Sequence, residues 1–258
     1  MRDRVCFVSI DIEHDVATQD AKTFRGVDNI WKILDIFKKF NIPATLFGTG
    51  DVLEKYQDKS RQWAKNYEIA SHSYEHRYFN ELSSTEKEAD IKKFIDVYEK
   101  VLGSRPLGFR APSHVIDRYT FGLLGKYGFK YDSSLVPHYP PFKKYRGYSG
   151  RAPLTPYNVT RNGGVTLVEI PVTGQSFGIP MAGAWIRKLP VWFYKILFIF
   201  NKPKFITLSM HSWDALDERF LPKLTKILEI LRNNGYVFKS GEQIATELSS
   251  GAMERVAG

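Results

Sequence analysis

Residues 5–11 read VCFVSID, an apolar run that ends in an aspartate. Residues 27–40, VDNIWKILDIFKKF, carry apolar side chains at helical spacing, and residues 43–50, PATLFGTG, form a second short apolar run. A buried strand, an amphipathic helix and another strand in this order are the repeating unit of a parallel sheet. These three segments therefore predict an α/β fold.

The same alternation continues along the chain. Further strands are predicted at residues 68–70, 107–110, 129–132, 166–170 and 204–210, and helices at 52–67, 85–102, 116–127 and 219–233. This order indicates a parallel sheet, which is either open or closed as a barrel. We expect a distorted (β/α) barrel of about seven strands, because chemically reactive residues stand at the ends of several strands, where barrel enzymes place their sites.

One domain is expected over residues 1–248, followed by a flexible tail over residues 249–258. The sequence has no Pro- or Ser-rich linker that would divide the chain. Residues 136–164, rich in Pro, Tyr, Gly and Lys, show weak periodicity. Long segments of this kind inside a domain are usually functional, so this one is a candidate binding loop.

The composition is that of a globular protein. Of the 258 residues, 43% are hydrophobic and 25% are charged, which excludes wholesale disorder. The net charge of +9 favours anionic partners, but the basic doublets are scattered and no nucleic-acid-binding motif accompanies them, so we expect no nucleic acid. The single cysteine, Cys6, excludes an internal disulfide and suits a reducing compartment.

The sequence predicts a cytoplasmic protein, at the inner face of the membrane. The first apolar run ends at Asp11 without a cleavage site, so export by a signal peptide is not indicated. Residues 184–200, AWIRKLPVWFYKILFIF, contain charges and a proline and lack the roughly 20-residue apolar span of a transmembrane helix. This segment is either an interfacial helix that contacts acidic phospholipid or a barrel helix whose apolar face packs inward.

Two histidines and a group of acids are candidate metal ligands. His72 and His76 in SHSYEH are four residues apart, which on a helix or turn places both imidazoles on one face. Asp11, Glu13 and Asp15 follow the first buried run, and Asp11 and Glu13 point to the same side of a strand. Two histidines and one carboxylate leave positions open for water and a substrate oxygen, as hydrolytic metal sites require.

Five segments in order, SIDIEHD, EIASHSYEH, FRAPS, FKYDSSL and LSMHSWD, resemble the motifs of the polysaccharide deacetylase family with the NodB homology domain, carbohydrate esterase family 4. The resemblance spans roughly residues 5–215. It implies a NodB-like (β/α) barrel and a metal-dependent hydrolase that removes N-acetyl groups from amino sugars. Zn²⁺ is the expected metal, and Co²⁺, Ni²⁺ or Fe²⁺ would suit the same ligands.

The resemblance also implies a role for each matching residue. Asp11 is the expected general base, and Glu13, His72 and His76 are the expected metal ligands. Arg110 holds the base, His211 is the general acid, and Asp132 orients and charges that histidine. The implied substrate contacts are the backbone N–H of Ser113, Trp213 and Tyr74. His14 stands where related sequences commonly have another acid, and it could compete for the metal.

The motifs most resemble the deacetylases of exopolysaccharide and surface-glycan biosynthesis, which act on lipid-linked sugars. This part of the resemblance is carried by YDSSL with Pro137, by residues 169–173, EIPVT, and by residues 178–200, GIPMAGAWIRKLPVWFYKILFIF, which lead to MHSWD. The expected substrate is therefore an N-acetylated polysaccharide or lipid-linked glycan. A deformylase or another amide hydrolase of the same fold, and a glycan-binding protein without activity, are the alternatives. The oligomeric state is left open.

Overall fold

The computed structural model describes residues 4–15, 23–137, 152–160, 166–173 and 181–250. Its central element is strand β1, Arg4–Ile12, in which every residue after Arg4 is buried. A strand buried on both faces is typical of a parallel sheet covered by helices. Cys6 lies within this strand, and burial raises the pKa of its thiol, as expected of a packed core cysteine rather than a nucleophile.

The bounds of the strands and helices follow in chain order. The strands are β1 (Arg4–Ile12), β2 (Thr45–Gly48), β3 (Glu68–Ser71), β4 (Gly108–Phe109), β5 (Tyr131–Asp132), β6 (Tyr157–Thr160), β7 (Thr166–Glu169), β8 (Met181–Ala182), β9 (Phe205–His211) and β10 (Tyr236–Lys239). The helices are α1 (Arg25–Asn29), α2 (Trp31–Lys39), α3 (Gly50–Lys55), α4 (Gln57–Ala64), α5 (Ser84–Leu102), α6 (Arg118–Lys126), α7 (Gly183–Lys188), α8 (Val191–Phe200), α9 (Phe220–Asn233) and α10 (Gly241–Ser249).

Within the described residues the strands form one sheet in the order β6-β7-β5-β4-β3-β2-β1-β9-β8, with β10 paired to β1. Every pair is parallel except β6 with β7. Pro171 lies just beyond β7, and its carbonyl oxygen accepts a hydrogen bond from the Thr207 hydroxyl on β9 at 2.7 Å. This contact brings the two ends of the parallel series together, so the sheet curls as an incomplete barrel.

The helices cover the sheet through apolar faces. Ile33, Leu34 and Phe37 form the buried face of α2. Helix α5 begins at a capping box in which Ser83 and Glu86 satisfy each other's backbone N–H groups, and it ends at Gly103 in the left-handed conformation. These start and stop signals explain why the sequence predicted this helix within one residue at each end.

The predicted α/β barrel class is confirmed, and the described sheet contains more strands than the expected seven. The additional elements β6, β8, β10 and α10 are short, so their periodicity gives little signal. The predicted helix over residues 27–40 is divided at Ile30, and the one over residues 52–67 is divided at Tyr56. The candidate loop 136–164 lies partly outside the described residues, and its described residues 157–160 form β6.

Helix α10 ends at Ser249, next to the predicted end of the domain at residue 248. The predicted tail continues into residues 251–258, which lie outside the described residues, so the domain division stays a prediction. The apolar segment 184–200 forms α7 and α8, which are joined at Pro190. Among the described residues, no helix combines the length and apolar character needed to cross a membrane.

Candidate metal centre

Three side chains converge where β1 and β3 end. Glu13 follows β1 directly, His72 follows β3 directly, and His76 lies in the loop beyond β3. One potential ligand atom from each of the three lies within 4.8 Å of the other two. The backbone N–H of His72 donates to the Gly48 carbonyl oxygen at 2.9 Å, which fixes the start of this loop against β2.

The loop after β3 is a tight turn rather than a helix. Ser73 and His76 both adopt the left-handed conformation, with φ of 64° and 58°. The backbone N–H of His76 donates to Ser73 Oγ at 3.1 Å. Side chains other than glycine rarely adopt this conformation unless the surroundings hold them there. The turn therefore brings the His76 ring to the same side as His72, with ring centroids 5.1 Å apart.

A hydrogen bond sets the orientation of the His72 ring. Nδ1 of His72 lies 2.8 Å from the Arg110 carbonyl oxygen, which can only accept, so Nδ1 carries the proton. Nε2 is then the unprotonated nitrogen, and it lies 3.7 Å from Glu13 Oε2. Burial lowers the pKa of His72, which keeps the ring neutral. A neutral imidazole anchored through its other nitrogen is the form that binds metals.

Glu13 completes the set with a buried carboxylate. Its Oε2 lies against His76 Nε2 and close to His72 Nε2. Burial alone would raise the pKa of Glu13, but the neighbouring His76 and His72 outweigh it and hold this pKa below its ordinary value. Two imidazole nitrogens and one ionised carboxylate, buried together, are a donor set that fits a divalent transition metal.

Asp11 lies beside this cluster and is held by Arg110. Arg110 Nη1 donates to Asp11 Oδ1 at 2.6 Å and to Ser9 Oγ at 2.9 Å. Nε and Nη2 of the same guanidinium donate to the backbone oxygen and hydroxyl of Ser133. Its plane also lies over the Phe47 ring, 4.1 Å from the centroid. Burial opposes ionisation of Asp11, but Arg110 and the surrounding imidazoles hold its pKa well below the usual range.

The third acid of the N-terminal group, Asp15, has a structural role. Its carboxylate accepts hydrogen bonds from the backbone N–H groups of Arg25 and Gly26, each at 2.9 Å, and from the Thr23 hydroxyl at 2.8 Å. These donors lie at the start of α1, where a negative charge complements the free N–H groups of a helix. Asp15 therefore fixes α1 against the end of β1.

His211 faces the same cluster from the end of β9. Its Nε2 lies 3.9 Å from Asp11 Oδ2 and 3.8 Å from Glu13 Oε1. The ring stacks on Trp213, with centroids 4.2 Å apart and planes 12° from parallel. The Asp214 carboxylate accepts the backbone N–H of His211 at 2.9 Å. The stacking fixes the ring, and this hydrogen bond fixes the backbone that carries it.

Asp132, predicted to orient His211, has other partners in this structure. Its carboxylate accepts from Ser134 Oγ at 2.7 Å and from the Ser134 backbone N–H at 2.9 Å, and it pairs with Glu169. Burial raises the pKa of Asp132 to about 6, and burial together with Asp132 raises that of Glu169 well above its usual value. Two buried carboxyl groups in contact share a proton. A coupling between Asp132 and His211 stays a prediction.

The expected substrate contacts lie in different surroundings. Ser113 follows β4 and adopts the left-handed conformation with φ of 52°. Trp213 is partly exposed beside His211. The Tyr74 hydroxyl donates to Glu54 Oε2 at 2.6 Å, and Lys93 Nζ lies 3.7 Å from its ring centroid, so this side chain is already engaged by α3 and α5. The substrate-binding roles of all three residues stay predictions.

Several residues near the site were not predicted as site residues. His114 adjoins Asp11 and Arg110, and burial together with the Arg110 charge lowers its pKa to about 3, so it is neutral at pH 7. His14, raised in the sequence analysis as a competitor for the metal, has its ring 5.6 Å from the His76 ring. Glu169 and Asp214 were missed, although Glu169 lies at the end of the predicted strand 166–170 and Asp214 lies four residues after the predicted strand 204–210. That position is the sequence signal that could have found Glu169 and Asp214.

Comparison with known proteins bears on the same region. Residues 16–131 match the family model described as polysaccharide deacetylase. Two curated proteins also match part of the chain. The peptidoglycan deacetylase of Helicobacter pylori is 31% identical over 114 residues, which is 44% of this chain and 39% of that protein. The peptidoglycan deacetylase-like protein FGM2 of Gibberella zeae is 33% identical over 121 residues, 46% of this chain and 36% of that protein.

The family model and the two curated relatives each match less than half of this chain. The chain spans less than half the length of the two curated relatives. A polysaccharide deacetylase structure from Mycobacterium smegmatis, described as putative, has a TM-score of 0.72 at 21% identity and covers 97% of this chain and 92% of its own. PuuE allantoinase has a TM-score of 0.73 at 18% identity, with coverages of 96% and 91%. At these identities the two structures show the fold alone, and they confirm the deacetylase-type α/β half-barrel.

Proposed function

We propose that this protein is a metal-dependent hydrolase that removes N-acetyl groups from amino sugars of a polysaccharide or a lipid-linked glycan. The observation that carries the proposal is the buried Glu13–His72–His76 cluster, which lies beside the Asp11–Arg110 ion pair in a fold of the deacetylase type. The deacetylase family match over residues 16–131 supports the same reaction class.

Glu13, His72 and His76 would hold the metal, with Zn²⁺ as the expected ion and Co²⁺, Ni²⁺ or Fe²⁺ compatible with the same donors. Such a cation, when bound, supplies a Lewis acid that polarises the acyl oxygen of an amide. The protein would bind it with both imidazoles neutral. The hydrogen bond from His72 Nδ1 to the Arg110 carbonyl oxygen already sets that form for one of them.

Asp11 is placed to act as the general base. Arg110 holds its Oδ1, and Oδ2 faces His211 and the cluster, so one oxygen is directed at the reaction space. In the proposed reaction Asp11 takes a proton from a water molecule whose oxygen bonds to the acyl carbon. The C–N bond then breaks, acetate leaves, and the sugar nitrogen receives a proton.

His211 is the proposed donor of that proton. The donor is the protonated ring, which gives its Nε2 proton to the leaving nitrogen and regains a proton from Asp11. Nε2 is the nitrogen that faces Asp11 and Glu13. A proton on this atom points into the space between the cluster and the base, where a leaving nitrogen would lie.

The substrate subtype and the location of the reaction are further parts of the proposal. The resemblance of residues 169–173 and 184–200 to surface-glycan enzymes supports a lipid-linked or polysaccharide substrate, and the single cysteine supports a cytoplasmic setting at the inner face of the membrane. A deformylase, another amide hydrolase or a glycan-binding protein remains an outcome of the test. Asp11, Arg110 and His211 favour turnover, because binding alone does not require a base or an acid.

The test measures acetate release and bound metal on the same preparation, with a panel of free and lipid-linked N-acetylated oligosaccharides. The wild type is compared with Asp11→Asn and His72→Ala, and Asp35→Asn on the exposed side of α2 is the matched control. We expect Asp11→Asn to keep its metal and to lose roughly 10²–10⁴-fold in rate, as removal of a general base does. His72→Ala should lose both metal and activity.

Release of formate or of another acid would show that the protein hydrolyses a different amide. Bound metal with no hydrolysis of any substrate would overturn the proposed activity and favour a glycan-binding protein. No bound metal in the wild type, together with unchanged behaviour of His72→Ala, would show that the cluster is not a metal centre.

A further inference from the structure

We infer that helix α8 forms a docking surface for a membrane that contains anionic phospholipid. This ten-residue helix has one charged residue, Lys195, and its other residues are aliphatic or aromatic. One face packs into the core through Tyr194, Leu197 and Phe198. The opposite face is exposed. It carries Lys195 and four large apolar residues, Trp192, Ile196, Ile199 and Phe200.

The exposed residues form one continuous face. Positions 192, 196, 199 and 200 are spaced by four, three and one residues, which places them along one side of a helix. Ile199 is 73% exposed, Phe200 81% and Trp192 61%. Scattered exposed apolar residues are normal on a protein surface, whereas several on one helix face mark an interaction surface.

The charge around this face indicates the partner. Residues 181–213 contain no Asp or Glu, but they contain five basic residues, Arg187, Lys188, Lys195, Lys202 and Lys204. Lys195 lies on the exposed face itself, and Lys202 and Lys204 are exposed just beyond its end. Apolar side chains flanked by cations, with no acid, are the pattern of a helix that lies in the interface of an anionic membrane.

A second copy of this chain fits the surface less well. Two copies related by a two-fold axis would bring the same lysines of both chains to one interface, with no carboxylate from residues 181–213 to offset them. Anionic headgroups supply the missing charge, and the acyl region accepts Trp192, Ile199 and Phe200.

The docking surface is connected to the candidate active site. Helix α7 precedes α8 directly, and its Arg187 forms an ion pair with the buried Asp214. Asp214 in turn accepts the backbone N–H of His211. A membrane bound at α8 would therefore contact the segment formed by α7 and α8, whose Arg187 is linked to His211 through Asp214. The docking inference does not depend on the proposed deacetylation, because it rests on α8 and its charges alone.

The experiment measures co-sedimentation of the purified chain with vesicles of phosphatidylcholine alone and of phosphatidylcholine mixed with phosphatidylglycerol. The variants are Ile199→Ser/Phe200→Ser and Lys195→Glu. The matched controls are Trp31→Ser, a 56%-exposed tryptophan on α2, and Lys38→Glu on the same helix. All five positions are exposed, so circular dichroism and thermal melting should be unchanged.

We expect binding to the anionic vesicles and little binding to the neutral ones. The double serine variant should bind at least about tenfold more weakly, because it removes two large apolar side chains from the lipid. Lys195→Glu should weaken binding by about tenfold, and more salt should weaken wild-type binding further. The two α2 variants should bind as the wild type does.

Equal binding by the wild type and Ile199→Ser/Phe200→Ser would overturn the inference, as would equal losses in the α2 controls. Sedimentation velocity distinguishes the other occupant. A dimer that dissociates in the double serine variant, without vesicle binding by the wild type, would assign the face to a second copy instead. Acetate release from a soluble substrate, measured in parallel, should be unchanged in these variants, so failure of docking and failure of the proposed activity are separable.

Discussion

The two ends of the sheet differ in the residues that adopt a positive φ. At the amino ends of the strands, the turns that need a positive φ use Gly103, Gly128 and Gly235, and one uses Asn41. At the carboxyl ends, the residues with positive φ are Ser73, His76, Ser113 and His114. Glycine adopts this conformation without cost, whereas other residues are strained by it. Four of the five described non-glycine residues with positive φ therefore lie at the end that carries the candidate site, where the side chains are needed.

Buried carboxylates at the two ends also differ, in their hydrogen-bond partners and in the direction of their pKa shifts. Glu68, at the start of β3, accepts from the Tyr131 hydroxyl at 2.6 Å, the Thr45 hydroxyl at 2.7 Å and the Glu242 backbone N–H at 2.9 Å. All three donors are neutral, and burial raises the pKa of Glu68. Asp11 and Glu13 instead face a guanidinium and imidazoles, and their pKa values are lowered. At the amino end Glu68 holds the fold, and at the carboxyl end Asp11 and Glu13 stay charged for chemistry.

The largest expected effect on stability comes from Arg110 at the carboxyl end. Arg110→Met leaves Asp11 buried without its counter-charge, which should lower the free energy of unfolding by about 3–5 kcal/mol. The surface pair Arg105–Glu99 is the matched control, because loss of an exposed ion pair costs only about 0–1 kcal/mol. Urea unfolding of Arg110→Met and Arg105→Met gives both values. Similar losses in the two variants would contradict the contrast between the ends.

The Asp132–Glu169 pair, also at the carboxyl end, predicts that the free energy of unfolding depends on pH. The folded-state pKa of Asp132 is raised from 3.8 to about 6, and that of Glu169 is raised as well, so the folded chain holds protons that the unfolded chain has released. The pair therefore stabilises the fold fully below about pH 4, and this contribution falls as the pH rises through about 6, by at most about 1.4 kcal/mol per pH unit for each proton.

Glu169→Gln should flatten this part of the pH profile, because an amide can donate to Asp132 without a shared proton. Glu229→Gln on α9, a carboxylate that pairs with Lys226 near the surface, is the control and should leave the slope unchanged. The measurement is urea unfolding between pH 4 and pH 8. The same slope in Glu169→Gln as in the wild type would show that the two carboxyl groups do not share a proton.

At the amino end, Glu68→Gln should lower the free energy of unfolding by about 1–3 kcal/mol, because the new amide group faces donors instead of accepting from them. Metal content should not change, since Glu68 lies at the opposite end of β3 from His72. Glu242→Gln is a suitable control, because Glu68 contacts only the backbone of that residue. Loss of metal in Glu68→Gln would show that the two ends are not independent.

The smallest expected effects come from the backbone turns. Gly103→Ala places a side chain at a φ of 71° and should lower the free energy of unfolding by about 1 kcal/mol. Ser113→Gly removes the side chain from a position with a φ of 52°. It should raise the free energy of unfolding by about 0.5 kcal/mol, because the relief of strain exceeds the cost of the greater freedom of glycine in the unfolded chain. Thermal melting of the two variants should therefore shift in opposite directions. A loss of stability in Ser113→Gly would mean that this turn is not strained.

Much of the fold could be predicted from periodicity and end signals. β1, β3, β9 and α5 were predicted within about two residues, because long apolar runs and a capping box define them. β8 and β10 were missed because two or four residues carry no readable period. The split of the first predicted helix at Ile30 was missed for another reason: the apolar spacing continues across the break, so the sequence pattern does not show it.

The site was predicted in part for a similar reason. Glu13, His72 and His76 could be named because their types and their positions after strands suggest a metal, and the structure brings them together. The partners of Asp132 could not be predicted, because Glu169 is 37 residues away along the chain and only the pairing of β5 with β7 places the two side by side. The structural role of Asp15 also depends on a helix start ten residues later.

Strand β1 has three neighbours, and this has a consequence for how the molecule is made. β9 lies along one side of it, while β10 and β2 share the other, with Val5 opposite Val237 and Ile10 opposite Leu46. Asp11 pairs with Phe47 on β2 and with His211 on β9, so its surroundings are complete only after a segment 200 residues further along the chain has joined the sheet. Contacts so distant along the chain slow folding, so the candidate site should mature after translation of this chain segment rather than during it.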